Sequence, residues 1–146
     1  MMELLPIKET LAENAGFQDH QDCKPSLAMT VDFFNRIGYQ PPWIGYYARK
    51  NGELVGSAAF KGAPQNGRVE IAYGTFPPFQ RQGIATEMCR ELVLLARQTD
   101  PAVTITARTF EPDNESSRVL QRNGFVGLGT VWDEEDGTVW EWEYRD

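Results

Sequence analysis

The sequence predicts an α/β domain built on a mixed sheet, and three observations carry that reading. Segments with the period of a strand alternate with segments of helical period, a proline-terminated strand passes through a glycine turn into an amphipathic helix, and a second strand–helix pair follows it. From the start, only Glu3–Leu5 offers a strand before Pro6, so a first strand is short or absent. Helices are expected over Lys8–Ala15 and Ser26–Ile37, the second with Leu27, Val31, Phe34 and Ile37 near one stripe and Gly38 as its stop. Trp43–Arg49 and Glu53–Phe60 flank Asn51-Gly52, a strong hairpin signal. After Gln65-Asn66-Gly67, Val69, Ile71 and Tyr73 alternate with Glu70, Ala72 and Gly74 until Pro77-Pro78 ends the strand. Ile84, Met88, Leu92 and Leu95 then recur at helical spacing opposite Glu87, Arg90, Glu91 and Arg97, so a helix starts near Gly83. Val103–Thr109 is β-branched and reads as a strand; Asp113 or Asn114 caps a short helix that Gly124 ends. The last elements are a hairpin, Phe125–Trp132 and Thr138–Tyr144, whose Trp140, Trp142 and Tyr144 share one face and read as packing.

At 146 residues the chain forms one domain, residues 1–146, able to bury about 68–70% of its unfolded surface. Its apolar runs are short and broken by charge, and MMELLPIKET lacks the basic end and apolar centre of a secretory leader, so no membrane association and a cytoplasmic location are expected. Cys23 and Cys89 lie far apart, with His20 as the one other soft ligand; reduced thiols and no metal site follow. The acidic run Asp133-Glu134-Glu135-Asp136 lacks the spacing of a calcium loop and reads as a solvated turn. A net charge of -7 argues against nucleic-acid binding. It is compatible with a cationic substrate such as a protonated amine, and is explained more simply by solubility.

The turn Gln80-Arg81-Gln82-Gly83-Ile84-Ala85 has small residues where a ligand must approach the backbone. The first turn of a helix leaves N–H groups without intrahelical partners and carries partial positive charge, so a pyrophosphate can rest there. On its own the turn reads equally as a plain entry into a buried helix. Downstream, Asn114-x-x-Ser117, then Leu120, then Gly124-Phe125 supply a second motif in the chain.

In that order the two motifs resemble the GNAT acyltransferase superfamily, over residues 43–146. The resemblance is closest to the branch of ribosomal-protein N-terminal acetyltransferases and aminoglycoside-type or amino-acid acetyltransferases, with Glu70-Ile71 before the turn and Ala85-Thr86-Glu87 after it. It implies a mixed, mostly antiparallel central sheet with flanking helices (an α+β fold in some schemes), and acetyl-CoA as cosubstrate without a metal. It implies that the pyrophosphate lies on the amides of Arg81, Gln82, Gly83, Ile84, Ala85 and Thr86. The Val69 and Val103 strands should splay so that the acyl-pantetheine arm enters and pairs with backbone near Thr75 and Phe76. Gly74 is either a bulge that starts the splay or a plain strand end, and Asn114 either contacts the pantetheine amide or caps its helix.

Acyl transfer to an amine needs a proton acceptor, a donor for the oxyanion and a partner for the departing thiolate. Glu70, on the strand that leads into the turn, is the candidate base, acting directly or through water, or else a structural carboxylate. The tyrosine that many family members carry after the helix leucine is replaced by Gln121, which cannot supply an ionisable proton. Ser117 stands where the ribosomal-protein branch serves the thiolate, and it serves equally as a helix cap. The expected function is N-acetylation of a primary amine on a small molecule or a protein N-terminus. The alternatives are a non-catalytic acyl-CoA-binding regulatory domain and a structural module whose turn binds nothing. A homodimer is left open.

Overall fold

Asn51 and Gly52 both adopt left-handed backbone, φ 53° and 80°, as a two-residue hairpin turn requires. They join β2 (Gly45–Lys50) to β3 (Glu53–Phe60) in a computed structural model that describes residues 1–145. The remaining strands are β1 (Met2–Pro6), β4 (Arg68–Thr75), β5 (Thr104–Thr109), β6 (Phe125–Asp133) and β7 (Gly137–Tyr144). They form one sheet in the order β1-β2-β3-β4-β5-β7-β6, antiparallel at every junction except β4–β5. The helices are α1 (Ala15–Gln18), α2 (Lys24–Ile37), α3 (Ile84–Thr99) and α4 (Glu115–Arg122). No helix among the described residues is long and apolar enough to cross a membrane.

In the N-terminal region the structure decides one open alternative and overturns one expectation. The first strand is present, because Met2–Pro6 pairs along the whole of β2, from Met2 opposite Lys50 to Pro6 opposite Tyr46; as the edge of the sheet it tolerates Pro6. The helix expected over Lys8–Ala15 is not formed. Instead the buried Asn14 side chain accepts from the Lys8 amide at 2.8 Å and donates to the carbonyls of Lys8 and Thr10 at 3.0 and 2.7 Å. Those local bonds compete with helical pairing and fold the segment into a loop, with a single 3₁₀ turn at Ala12–Asn14 before the short α1.

Helices cover both faces of the sheet. Tyr47 and Ser57 pair across β2 and β3 and share one face, where α2 packs and Ser26 Oγ lies 2.9 Å from the Tyr47 hydroxyl. Gly56 faces the other way, against α3. A Cβ placed there would lie 2.9 Å from the Met88 side chain and 2.5 Å from the Gly74 carbonyl, so bare backbone lets α3 sit close on β3. The interior is filled by Ile71, Met88, Leu92, Ile105 and Leu120, all below 2% exposed. Trp142 joins it, its ring covering Gly127 and its indole N–H donating to Thr109 Oγ1 at 2.9 Å.

The feature that positions the site is the short parallel junction. Strands β4 and β5 pair only at Arg68–Thr104, Val69–Ile105 and Glu70–Thr106, although β4 runs on to Thr75 and β5 to Thr109. Beyond Glu70 each strand follows its other partner, β4 with β3 and β5 with β7, and the twist of the sheet draws the two apart. Gly74 is not a bulge: the β3–β4 register is unbroken from Ile71 opposite Phe60 to Thr75 opposite Gly56, and the fork opens four residues earlier.

Candidate active site

The wall of the fork begins where β4 ends. Phe76 is extended, Pro77–Phe79 make one 3₁₀ turn, and Gln80 is extended again. Arg81 and Gly83 then take left-handed backbone, φ 64° and 77°, which reverses the chain into α3. Gly83 stands at the N-cap with no side chain to bond the first turn, so the amides of Ile84, Ala85 and Thr86 have no capping partner. Their residues line a cavity of about 200 Å³ together with Thr75, Arg81, Gly83 and Arg122. Two arginines, Arg81 and Arg122, one carboxylate, Glu115, and a helix N-terminus therefore line one concave surface, and no Cβ at Gly83 narrows it. Six of the sequence-predicted cofactor residues come together here: Thr75, Arg81, Gly83, Ile84, Ala85 and Thr86. Phe76, Gln82 and Asn114 do not line it. The Phe76 amide donates to Val55 O at 2.9 Å, Gln82 Nε2 reaches Pro78 O at 3.4 Å, and Asn114 caps α4 by accepting from the Ser117 amide at 2.9 Å.

A second cavity of about 120 Å³ lies in the fork itself, between Glu70–Tyr73 of β4 and Ala107–Thr109 of β5 with the adjoining Phe110, and Ser116 and Leu120 of α4 lie beside it. Tyr73 and Ser116 line both cavities, and the Tyr73 hydroxyl donates to Ser116 O at 3.3 Å across the gap. Burial raises the Tyr73 phenol above its usual range, with the nearby Cys89 adding to the effect. By register Tyr73 shares its face with Ala58 and Gly56, the face of α3, whereas Glu70 lies on the face of α2. Glu70 and Tyr73 thus enter the fork from opposite sides.

Glu70 is tethered by Lys61 Nζ at 3.3 Å and lies 4.0 Å from Arg108 Nε. Arg108 is the centre of a charge network, bonding Asp133 Oδ2 at 2.8 Å and Glu141 Oε2 at 3.4 Å; Glu141 and Glu143 in turn hold Arg68 at 3.2 Å. The Arg108 bond, followed by the amides of Glu135 and Asp136, lowers the Asp133 pKa from 3.8 to about 2. A depressed carboxylate stabilises the fold fully above its unfolded pKa and loses that contribution as pH falls through the folded value. Thermal melting should therefore weaken between about pH 4 and about pH 2, and Asp133→Asn should flatten that limb when melting is followed against pH.

Ser117 is placed otherwise than a cavity residue. It is fully buried, and its hydroxyl lies 3.1 Å from Thr109 Oγ1 and 2.9 Å from Asn114 Oδ1 and also bonds the Glu111 carbonyl. Its neighbour Ser116 lines the cavities instead. Sequence reading missed Ser116, Tyr73 as a site residue, Lys61 and Arg108. The Ser116-Ser117 pair offered either serine; alternation along β4 had already set Tyr73 opposite Glu70. Among the described residues no group of three or more His, Cys, Asp or Glu is arranged to hold a metal ion.

Comparison with known proteins agrees with this geometry. The sequence model of the acetyltransferase (GNAT) domain matches residues 8–126. A relative, the uncharacterized N-acetyltransferase YjdG of Bacillus subtilis (strain 168), is 29% identical over 145 residues, 86% of each chain. Among solved structures, the aminoglycoside acetyltransferase AAC(6')-Ib in complex with coenzyme A is similar with a TM-score of 0.69 at 22% identity, covering 99% of this chain and 95% of the other. The RimL ribosomal L7/L12 alpha-N-protein acetyltransferase in complex with coenzyme A gives 0.68 at 18% identity, covering 97% and 92%. A spermidine N-acetyltransferase SpeG chimera from Vibrio cholerae and hSSAT gives 0.71 at 12% identity, covering 98% and 94%. With its mixed seven-stranded sheet, its fork and its matched domain, the chain belongs to the GNAT acetyltransferase family and is an acetyl-CoA-dependent acetyltransferase.

Proposed function

We propose that this chain, acting as a single domain, acetylates a primary amine of a small molecule or a protein N-terminus. The observation that carries the reading is that the uncapped first turn of α3, flanked by Arg81 and Arg122, opens into the same fork that exposes Glu70. The residues fit coenzyme A: the amides of Ile84–Thr86 and the two guanidinium groups suit its pyrophosphate, and β4 near Thr75 borders the path of its arm. Bound there, acetyl-CoA supplies an activated thioester. Gly83 keeps the approach to the amides open, and Arg81 and Arg122 offset phosphate charge.

Glu70 serves as the proton acceptor for the incoming amine. Lys61 and Arg108 hold its carboxylate toward the α2 face, from which the acceptor enters. Neighbours of the same fold act on a protein, on spermidine and on aminoglycosides, which supports an amine acceptor and leaves its identity open. Cys23 and Cys89 are both free and buried, which supports a reducing, cytoplasmic setting. The activity is tested by screening amines with acetyl-CoA and following free thiol. Turnover with at least one amine supports the proposal; coenzyme A binding without turnover across the panel would leave the regulatory acyl-CoA-binding reading in its place.

Ser117 belongs to the scaffold on this reading. Its hydroxyl joins Asn114 and Glu111 to Thr109, which carries the Trp142 indole bond, so it ties α4 to β5 and β7. Ser117→Ala is expected to lower stability by about 1–3 kcal/mol, with turnover nearly unchanged, as denaturant melts and the thiol assay would register. A large loss of rate in a stable, cofactor-binding variant would return Ser117 to the chemistry.

A further inference from the structure

We propose that the Tyr73 hydroxyl, where the two cavities meet, donates a hydrogen bond to the sulfur that leaves during acetyl transfer; the assignment rests on the coenzyme A reading of the fork. Three observations support it. Tyr73 lines both cavities and stands on the α4 side of the fork, opposite Glu70. In the tetrahedral intermediate the carbon holds both the attacking nitrogen and the sulfur, so with the amine and Glu70 on one side a donor on the other side, where this phenol is, is free to serve the sulfur. Its one hydrogen bond among the described residues, to Ser116 O, is long at 3.3 Å and can be exchanged at little cost. Competing hydroxyls are committed: Ser117 is buried among three partners, and Thr109 donates to Glu111 O at 2.7 Å while accepting from Trp142. Gln121, in the place of the usual tyrosine, is exposed and lines neither cavity.

The physical consequence differs from acid catalysis. With its pKa raised by burial, the phenol stays protonated beside a thiolate, so it stabilises sulfur's charge without giving up its proton. In the balanced step the amine nitrogen forms the C–N bond and the C–S pair leaves with sulfur. The amine's proton passes to Glu70 and then to water, and the thiolate takes a proton from water as coenzyme A departs. Net, one proton moves from nitrogen to sulfur, and Tyr73 ends as it began.

The test is the acidity of the bound coenzyme A thiol, followed by thiolate ultraviolet absorbance against pH in the unmutated protein and in Tyr73→Phe, which keeps the ring. In the unmutated protein the bound thiol should titrate about one pH unit below the free thiol, and in Tyr73→Phe that depression should vanish while coenzyme A affinity changes less than about threefold. Arg81, Arg122, Lys61 and Arg108 favour the thiolate, and Glu70, Glu115, Asp133 and Asp136 oppose it; all are retained in both proteins, so the difference isolates the hydroxyl. Turnover with an amine found in the thiol screen should fall about 10-fold or more. The same thiol pKa in both proteins would overturn the assignment alone. Failure of coenzyme A to bind the unmutated protein would overturn the cofactor site together with it.

Discussion

Gly83→Trp is expected to weaken coenzyme A binding by at least about 100-fold while the fold survives. Gly83 sits at φ 77°, so any side chain there is strained, and a built Cβ meets nothing within 4 Å, so the bulk is directed into open space at the cofactor cavity and spares the core. The strain costs roughly 1–2 kcal/mol of stability. Gly83→Ala carries the same strain with little bulk, and it should bind coenzyme A far better than the tryptophan variant. Calorimetry on both, with circular dichroism as the check on folding, separates occlusion from strain. Unchanged affinity in a folded Gly83→Trp would remove the turn from the site.

The second large effect is expected from Glu70→Gln. The substitution keeps size and one acceptor oxygen but removes the charge and the proton acceptor, so turnover should fall about 100-fold while acetyl-CoA affinity stays within about twofold. The pair with Lys61 is partly exposed on both sides, at 42% and 22%, so its loss costs little stability. Steady-state kinetics beside calorimetry makes the distinction. A Glu70→Gln protein with full turnover would mean that the carboxylate only orders its surroundings and that the acceptor arrives already deprotonated.

What was legible in the sequence depended on how local its cause was. Asn51-Gly52 and the entry into α3 were readable because one or two residues dictate the backbone there, and the observed positive φ values at Asn51, Gly52 and Gly83 are the conformations those residues favour. The cap at Asn114 was readable for the same reason. The first helix was misread because nothing in the local sequence Lys8–Ala15 shows Asn14 turning its amide back onto Lys8 and Thr10. The edge strand β1 was faint because its pairing with β2 is set by a partner some forty residues away, and Pro6 masked its end. The site divided along the same line. The cofactor turn is one contiguous stretch, legible from its glycine and strengthened by family resemblance. The fork is a long-range property of which strand each of β4 and β5 follows, so neither its opening after Glu70 nor the exchange of Ser117 for Ser116 at the cavity wall was visible in advance.

The central claim is that the fork and the first turn of α3 form one coenzyme A site. Titrating coenzyme A into isotope-labelled protein and following backbone amide resonances tests it directly. The predicted result is saturable binding with the largest shifts at Arg81, Gly83, Ile84, Ala85 and Thr86, extending along β4 through Thr75 and Tyr73. Saturable binding whose shifts cluster elsewhere, or no binding at millimolar coenzyme A, would contradict it.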